Sequence, residues 1–276
     1  VSVRERIRID SSPISALLFA KYFFEVWDKL ENSAKELLLD VEDKPVYFRY
    51  LTLMSFHVFL SEGVDIAVYE VGVGGEYDST NIVQRPAATG ISTLGIDHVF
   101  ALGDTVDKIA WHKAGILKTE SPAFTVQQIP EAMEVVKQRA VEKSVELKVV
   151  EINSALEGVK ILPQADFQRK NASLAIALTA AVLKKLDPEF SLPEGPLPIE
   201  FVDGLEQVVW RGRCETKVDG NIQWYLDGAH TVDSLKVAAK WFGSQSSQAC
   251  VPPVLGVFIS GLKLTLVQPR YKNSDF

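Results

Sequence analysis

An α/β fold built on a parallel sheet is the class this sequence predicts, and three observations carry that prediction. Short apolar runs recur at 66–69, 87–94, 122–126 and 147–150. Stretches with helical spacing lie between and around them, at 104–117, 130–144 and 167–186. Strand and helix alternating at this pitch make a parallel sheet with helical crossovers. The first run also closes on a carboxylate, Glu70, and then a glycine-rich turn. Ligands of open parallel sheets bind beyond the carboxyl ends of strands, so the stretch 65–113 is where a site is expected.

Taken in order, residues 1–9 set Val3, Ile7 and Ile9 against Arg4, Arg6 and Arg8, a strand pattern that Glu5 interrupts. Asp10-Ser11-Ser12-Pro13 is turn chemistry, with Ser12 and Pro13 able to start a helix. Residues 16–35 carry Leu17, Tyr22, Phe24, Trp27 and Leu30, an aromatic helix face expected to pack in a core. Residues 46–60 are strongly apolar and read as helix; His57 within them is better explained as a packed core histidine than as a ligand. The helix after Asp104 places Val106, Ile109, Ala110, Lys113 and Leu117 on one face. Residues 187–198 hold four prolines and little hydrophobic pattern, which suits an interdomain linker. Beyond it, 208–217 and 221–227 read as two strands. Gly228-Ala229-His230-Thr231 then turns into a helix over 232–242, as a second nucleotide-facing edge would. After Gly243 the pattern degrades: 251–276 has apolar runs with no following helix, and no internal repeat occurs.

Composition excludes several classes. The chain has 276 residues, enough for one large or two smaller domains, and 47% are hydrophobic, enough for a sizeable core. A formal charge of −7 gives no electrostatic reason to expect nucleic acid. No run approaches the roughly 18 apolar residues of a membrane span. Cys214 and Cys250 are too few for a disulfide framework, which fits a reducing compartment. The first ten residues have neither a signal-peptide pattern nor an initiator Met, and read like the middle of a protein.

Several side chains stand out chemically. A carboxylate closing a buried strand must be hydrated, paired or metal-bound, and Glu70 is open to each of these. Gly72, Gly74 and Gly75 permit a tight turn and close approach of a ligand, though they form no dinucleotide fingerprint. Asp78-Ser79-Thr80-Asn81 can equally make hydrogen-bonded turns. His98 follows the second apolar run; Mg²⁺ prefers oxygen, so a structural role competes with ligation. Lys113 lies in an apolar stripe, where it either snorkels to solvent or is compensated chemically. Asn171 sits early in a long helix and has the bland alternative of a polar surface position. Arg213 could grip phosphate bidentately. Asp227 and His230 flank a turn at a strand end, where capping would also explain the aspartate.

Together these pieces have an order that resembles the Mur ligase superfamily and, within it, the folylpolyglutamate synthase family. The segments that carry the resemblance are VRERIRI at 3–9, EVGVGGEYDSTNIV at 70–83, LGIDHVFALGDTVDKIAWHKAGILK at 94–118, QRKNASLAIA at 168–177, WRGRCE at 210–215 and YLDGAHTVDS at 225–234. The resemblance implies a parallel-sheet ATPase domain at 1–198 and an incomplete Rossmann-like glutamate-ligase domain at 199–276. It implies an ATP-dependent ligase that joins L-glutamate to the γ-carboxylate of a folate through an acyl phosphate. By the same matching, Glu70 and His98 would ligate Mg²⁺, Lys113 would be carbamylated, and Asn171, Arg213, Asp227 and His230 would contact ATP. Asp78 would lie near the folate. A monovalent cation, a monomeric state and a cytoplasmic or mitochondrial home also belong to what it implies.

Thr231, where bacterial relatives mostly have Asn, and Trp111-His112 before Lys113 resemble the eukaryotic branch. They weigh mildly against two alternatives, dihydrofolate synthase and the other Mur-type amide ligases. No G-x-x-x-x-G-K-[ST] occurs, so the phosphate cradle that would precede VRERIRI is missing, and 249–276 departs from the pattern. The expectation is a fragment inactive alone, with a non-catalytic folate- or nucleotide-binding role as the further alternative.

Overall fold

The computed structural model describes residues 2–38, 44–163, 165–220, 222–229, 231–246, 256–260 and 263–267. The chain divides into two compact units, 1–89 with 98–121 and 130–146, and 90–97 with 122–129 and 147–276.

In the first unit, the strand expected over 1–9 is mostly something else. Ser2 caps a short 3-10 helix, Val3–Arg6, by accepting from the Arg4 N–H. Only β1 (Arg8–Ile9) is strand, paired antiparallel with β2 (Ser12–Pro13). Asp10 and Ser11 between them have φ of 46° and 61°, as a two-residue hairpin of the I′ kind requires. Ser12 and Pro13 therefore extend the hairpin, and Ser15 starts helix α1 (Ala16–Glu36) by accepting from Leu18 N–H.

Helix α1 buries Tyr22 and packs Phe19, Phe23, Val26, Trp27 and Leu30 against Tyr50, Leu51, Met54 and Val58 of α2 (Tyr47–Ser61). Leu17 and Phe24, expected in that core, are exposed. At 100° per residue they fall opposite the stripe formed by 19, 22, 23, 26, 27 and 30. The Tyr50 hydroxyl donates to the Phe23 carbonyl at 2.6 Å, and burial pushes its pKa up to about 12. His57 is not a core residue: partly exposed, it pairs with Glu25 at 2.6 Å. Short α3 (Val99–Leu102), then α4 (Val106–Lys113) and α5 (Pro130–Glu142), complete the unit.

The run 66–69 is not a strand. Its Val68 is 87% exposed, and no described strand lies beside it to take its backbone hydrogen bonds. A short run of apolar and β-branched residues makes strand geometry favourable, but a strand needs a partner.

The second unit holds the three-stranded sheet, in the order β3 (Thr89–Ile91), β4 (Ala123–Val126), β5 (Leu147–Val150). Strands β4 and β5 run parallel, as the alternation predicts. Every residue of the central β4 is buried, and helix α6 (Asp166–Leu186) packs on it. Gln128 ties the sheet's end together, accepting from Leu94 N–H and donating to the Ser92 carbonyl. The proline-rich stretch after α6 is irregular but not a free tether. Leu192 and Leu197 pack with Ala172 and Ile176 of α6 and with Phe201 and Leu205 of α7 (Ile199–Glu206), a helix the sequence pattern did not single out. Further on, β6 (Glu215–Asp219) and β7 (Ile222–Leu226) form an antiparallel hairpin leading to α8 (Val232–Ser246). Strands β8 (Gly256–Ser260) and β9 (Lys263–Val267) pair antiparallel. Among the described residues no helix is long and apolar enough to cross a membrane.

Candidate functional site

The glycine turn of the first unit is built around one aspartate. Asp78 Oδ2 accepts from the N–H groups of Gly72 and Val73, at 3.1 and 3.0 Å. Its Oδ1 accepts from the N–H and the hydroxyl of Thr80, at 2.9 and 2.6 Å. Of the two roles open to this stretch in sequence, turn bonding is the one its side chain performs.

Two helices brace the turn. On one side α2 supplies Phe48, whose ring fills the space where a Cβ on Gly72 would sit, and Thr52, whose hydroxyl meets that of Ser79 at 2.8 Å. Tyr69 is held between Phe56 and Phe59 with its ring centroid 4.9 and 5.8 Å from theirs. On the other side is the carbonyl end of α4. Glu76 N–H donates to the His112 carbonyl at 2.8 Å. A Cβ on Gly75 would come within 2.6 Å of that oxygen and 3.0 Å of the Lys113 carbonyl. Only glycine lets the two backbones approach so closely. Asn81 bridges the Glu76 and Gly115 carbonyls, and Lys118 donates to the Asn81 carbonyl.

Glu70 is exposed, in irregular chain leading into this turn. Lys113, the last residue of α4, is half-buried, and its stripe-mates Ile109, Ala110 and Leu117 are fully buried, so the stripe is real. His98 is exposed with φ 51° and ψ 40°, the left-handed conformation, where it starts α3. That geometry is uncommon for a residue with a side chain. Among the described residues no three His, Cys, Asp or Glu side chains group as a metal site. A carboxylate and an imidazole alone fall below that number. An exposed carboxylate fits a hard cation that keeps several waters; imidazole fits it less well.

Helix α6 carries Asn171, whose amide donates to Gln168 Oε1, so it is neither on the open surface nor unpartnered. Arg213 and Asp227 lie just beyond the paired open ends of the β6–β7 hairpin, which brings them together. Asp227 Oδ2 accepts from Cys214 N–H at 2.7 Å and Oδ1 from Ala229 N–H at 2.8 Å. Gly228 N–H donates to the Gly212 carbonyl, and the Arg213 guanidinium covers Gly228. Among the described residues Asp227 accepts from no N–H of α8, which begins at Val232, and instead joins the WRGRCE segment to the strand end. Burial, and then the neighbouring Asp227 carboxylate, push the Cys214 thiol up to about 12. Glu215 accepts from Arg211 and from Gly212 N–H, and Arg211 above all holds its carboxyl below the usual range. Thr231 and Ser234 bond reciprocally at the start of α8. His230 lies outside the described residues.

Sequence reasoning missed the residues that hold these sites together. Arg139 lies outside every motif segment, while Glu76 and Cys214 sit inside two of them with no chemistry of their own to mark them. The one available signal was an arginine at a buried position of α5, which pattern alone cannot distinguish from a surface charge.

No family model matches the chain. Among curated proteins, it is 66% identical over 244 residues to folylpolyglutamate synthase of Neurospora crassa, covering 88% of this chain and 46% of that protein. It is 46% identical over 255 residues to folylpolyglutamate synthase of Saccharomyces cerevisiae, again over 46% of that protein. Among solved structures, the apo form of L. casei FPGS aligns with a TM-score of 0.74 and 26% identity, over 88% of this chain and 62% of that one. An FPGS–AMPPCP–folate complex aligns with a TM-score of 0.74 and 25% identity, over the same shares. Folylpolyglutamate synthase of Thermotoga maritima aligns at 0.69 and 27%, over 87% of this chain and 57% of that one. The chain spans about half the length of the curated relatives it matches, and within that span it is similar to folylpolyglutamate synthases in sequence and to their solved structures in fold.

Proposed function

We propose that this chain carries part of the working surface of an ATP-dependent acid–amino-acid ligase, one that adds L-glutamate to the γ-carboxylate of a folate through an acyl phosphate. The observation that supports this most strongly is the 66% identity over 244 residues to a folylpolyglutamate synthase. Relatives solved with AMPPCP and folate favour the same substrates. We assign residues 1–198 to an ATPase-like domain and 199–276 to part of a glutamate-ligase domain.

In this reading Glu70 and His98 hold Mg²⁺, which when bound neutralises phosphate charge during transfer. Lys113, as a carbamate, would present a negative group from the end of α4. Asn171, Arg213, Asp227 and His230 face ATP. Arg213, covering Gly228, supplies the positive charge, and Asp227 orients it by pinning the backbone at Cys214. Asp78 shapes the turn and lies near the folate. A monovalent cation, a monomeric state and a cytoplasmic or mitochondrial setting belong to the same proposal.

No stretch of these residues reads G-x-x-x-x-G-K-[ST]. That favours a second reading in which these residues alone bind folate or nucleotide without turnover. Calorimetric titration with Mg²⁺–AMPPCP and with folate, beside a glutamate-incorporation assay, separates the two. Binding heat weakened at least tenfold by Glu70→Gln or Arg213→Ala is expected. Absence of heat with both ligands would defeat both readings. Incorporation with pteroate in place of folate as acceptor would instead point to dihydrofolate synthase.

A further inference from the structure

Arg139 is an arginine that the proposed chemistry does not use, yet it is only 9% exposed. It lies on α5 with its Nη2 2.6 Å from Glu76 Oε2 and its Nη1 2.7 Å from Glu142 Oε2. Its guanidinium carbon sits 4.5 Å from the centre of the Trp111 ring on α4. Lys143 adds a second cation, 3.3 Å from the same Glu76 oxygen. Burying a guanidinium costs several kcal/mol unless it is paired, so the cluster holds together strongly or not at all.

Glu76 is the residue whose backbone joins the glycine turn to α4. Its N–H donates to the His112 carbonyl, and Asn81 links its carbonyl to that of Gly115. Gly115 leaves no room for Glu76 to drift toward it, since a Cβ there would fall 2.4 Å from the Glu76 Cα. Moving the Glu76 side chain therefore pulls on the carbonyl end of α4, where Lys113 is. We propose that Arg139 is a positioning residue: by gripping Glu76 while lying on Trp111, it sets the glycine turn against the end of α4 and thereby the place of the Lys113 amine. The consequence for catalysis rests on the ligase reading; the mechanical coupling does not.

The test uses the full chain labelled for NMR, with Arg139→Gln, Glu76→Gln and Arg139→Lys. Two readouts are followed: hydrogen exchange of the Glu76 amide and the pH titration of the Lys113 side-chain signal. The Met54 and Val58 amides of α2 serve as controls. Arg139→Gln and Glu76→Gln are each expected to speed Glu76 exchange about tenfold and to displace the Lys113 titration, with the controls unchanged. The double variant should do no more than either single one, and Arg139→Lys, which keeps the charge but loses the two-armed grip, should speed Glu76 exchange severalfold, less than Arg139→Gln. If Arg139→Gln does not fold, Arg139→Lys alone decides: a severalfold faster Glu76 amide with steady controls supports the proposal. Unchanged Glu76 exchange and Lys113 titration in the folded variants would overturn it. So would a uniform acceleration of all amides, which marks a merely stabilising role. A chain that shows the coupling but gives no heat with Mg²⁺–AMPPCP or folate would sink the ligase reading and leave Arg139's role standing.

Discussion

Two turns in this molecule are built alike and supported differently. In each, an aspartate accepts backbone N–H groups beside a glycine: Asp78 from Gly72 and Val73, Asp227 from Cys214 and Ala229. The Asp78 turn has helices on both sides, rings over one glycine, backbone against another, and an ion cluster behind it. The Asp227 turn leans on a single hairpin and on an exposed arginine. The same hydrogen-bonding device can thus be rigid or adaptable depending on whether backbone or a flexible side chain fills the space around it.

The sharpest way to break the comparison is with three alanines. Gly115→Ala drives a Cβ into the Glu76 backbone and should cost about 3 kcal/mol, seen as a lower thermal midpoint. A midpoint within a degree of the parent would mean the turn is not clamped. Next comes Asp78→Ala, which leaves three donors from backbone and one hydroxyl unanswered, for about 2 kcal/mol. Asp227→Ala should cost roughly half as much, since it strands two donors. Equal losses at the two sites would erase the proposed difference.

A third measurement sharpens the Asp227 side. The Cys214 thiol titrates near 12 rather than its ordinary 9.0, so its protonated form is the one the fold favours. That contribution to stability is complete below pH 9 and is lost as pH rises towards 12. At pH 8, alkylation of Cys214 in the folded chain should run at least tenfold slower than in urea, and Asp227→Asn should speed it. Equal rates in both states would refute the shift. Smaller still is Gly228→Ala. Its Cβ presses on the movable end of Arg213 and makes ordinary contact with the Gly212 carbonyl at 3.4 Å, for under about 1 kcal/mol. Last is His57→Gln, which removes an exposed pair with Glu25 worth about 0.5 kcal/mol.

How far the sequence reached can be judged residue by residue. Helices α2, α5 and α6 and strands β4 and β5 were legible because their apolar periodicity continues for several residues and their neighbours in sequence supply the packing. The stripe on α4 that carries Lys113 was legible for the same reason. The strand expected over 66–69 was not realised, because an apolar run describes one chain while a strand belongs to a pair. Leu17 and Phe24 were misplaced by counting apolar residues without their angle around the helix. The proline-rich stretch looked like a tether, yet Leu192 and Leu197 anchor it.

By itself the sequence determined the order of elements, the class of fold and the identity of the chemical side chains, since each depends on local periodicity and residue type. Only the tertiary structure decided that Asp78 holds a turn, that Asp227 meets Cys214, and that Arg139 reaches Glu76 across 63 positions. The last of these joins residues distant along the chain, and what selects it is the cost of leaving a buried charge without a partner, a cost that exists only once the chain has folded around it.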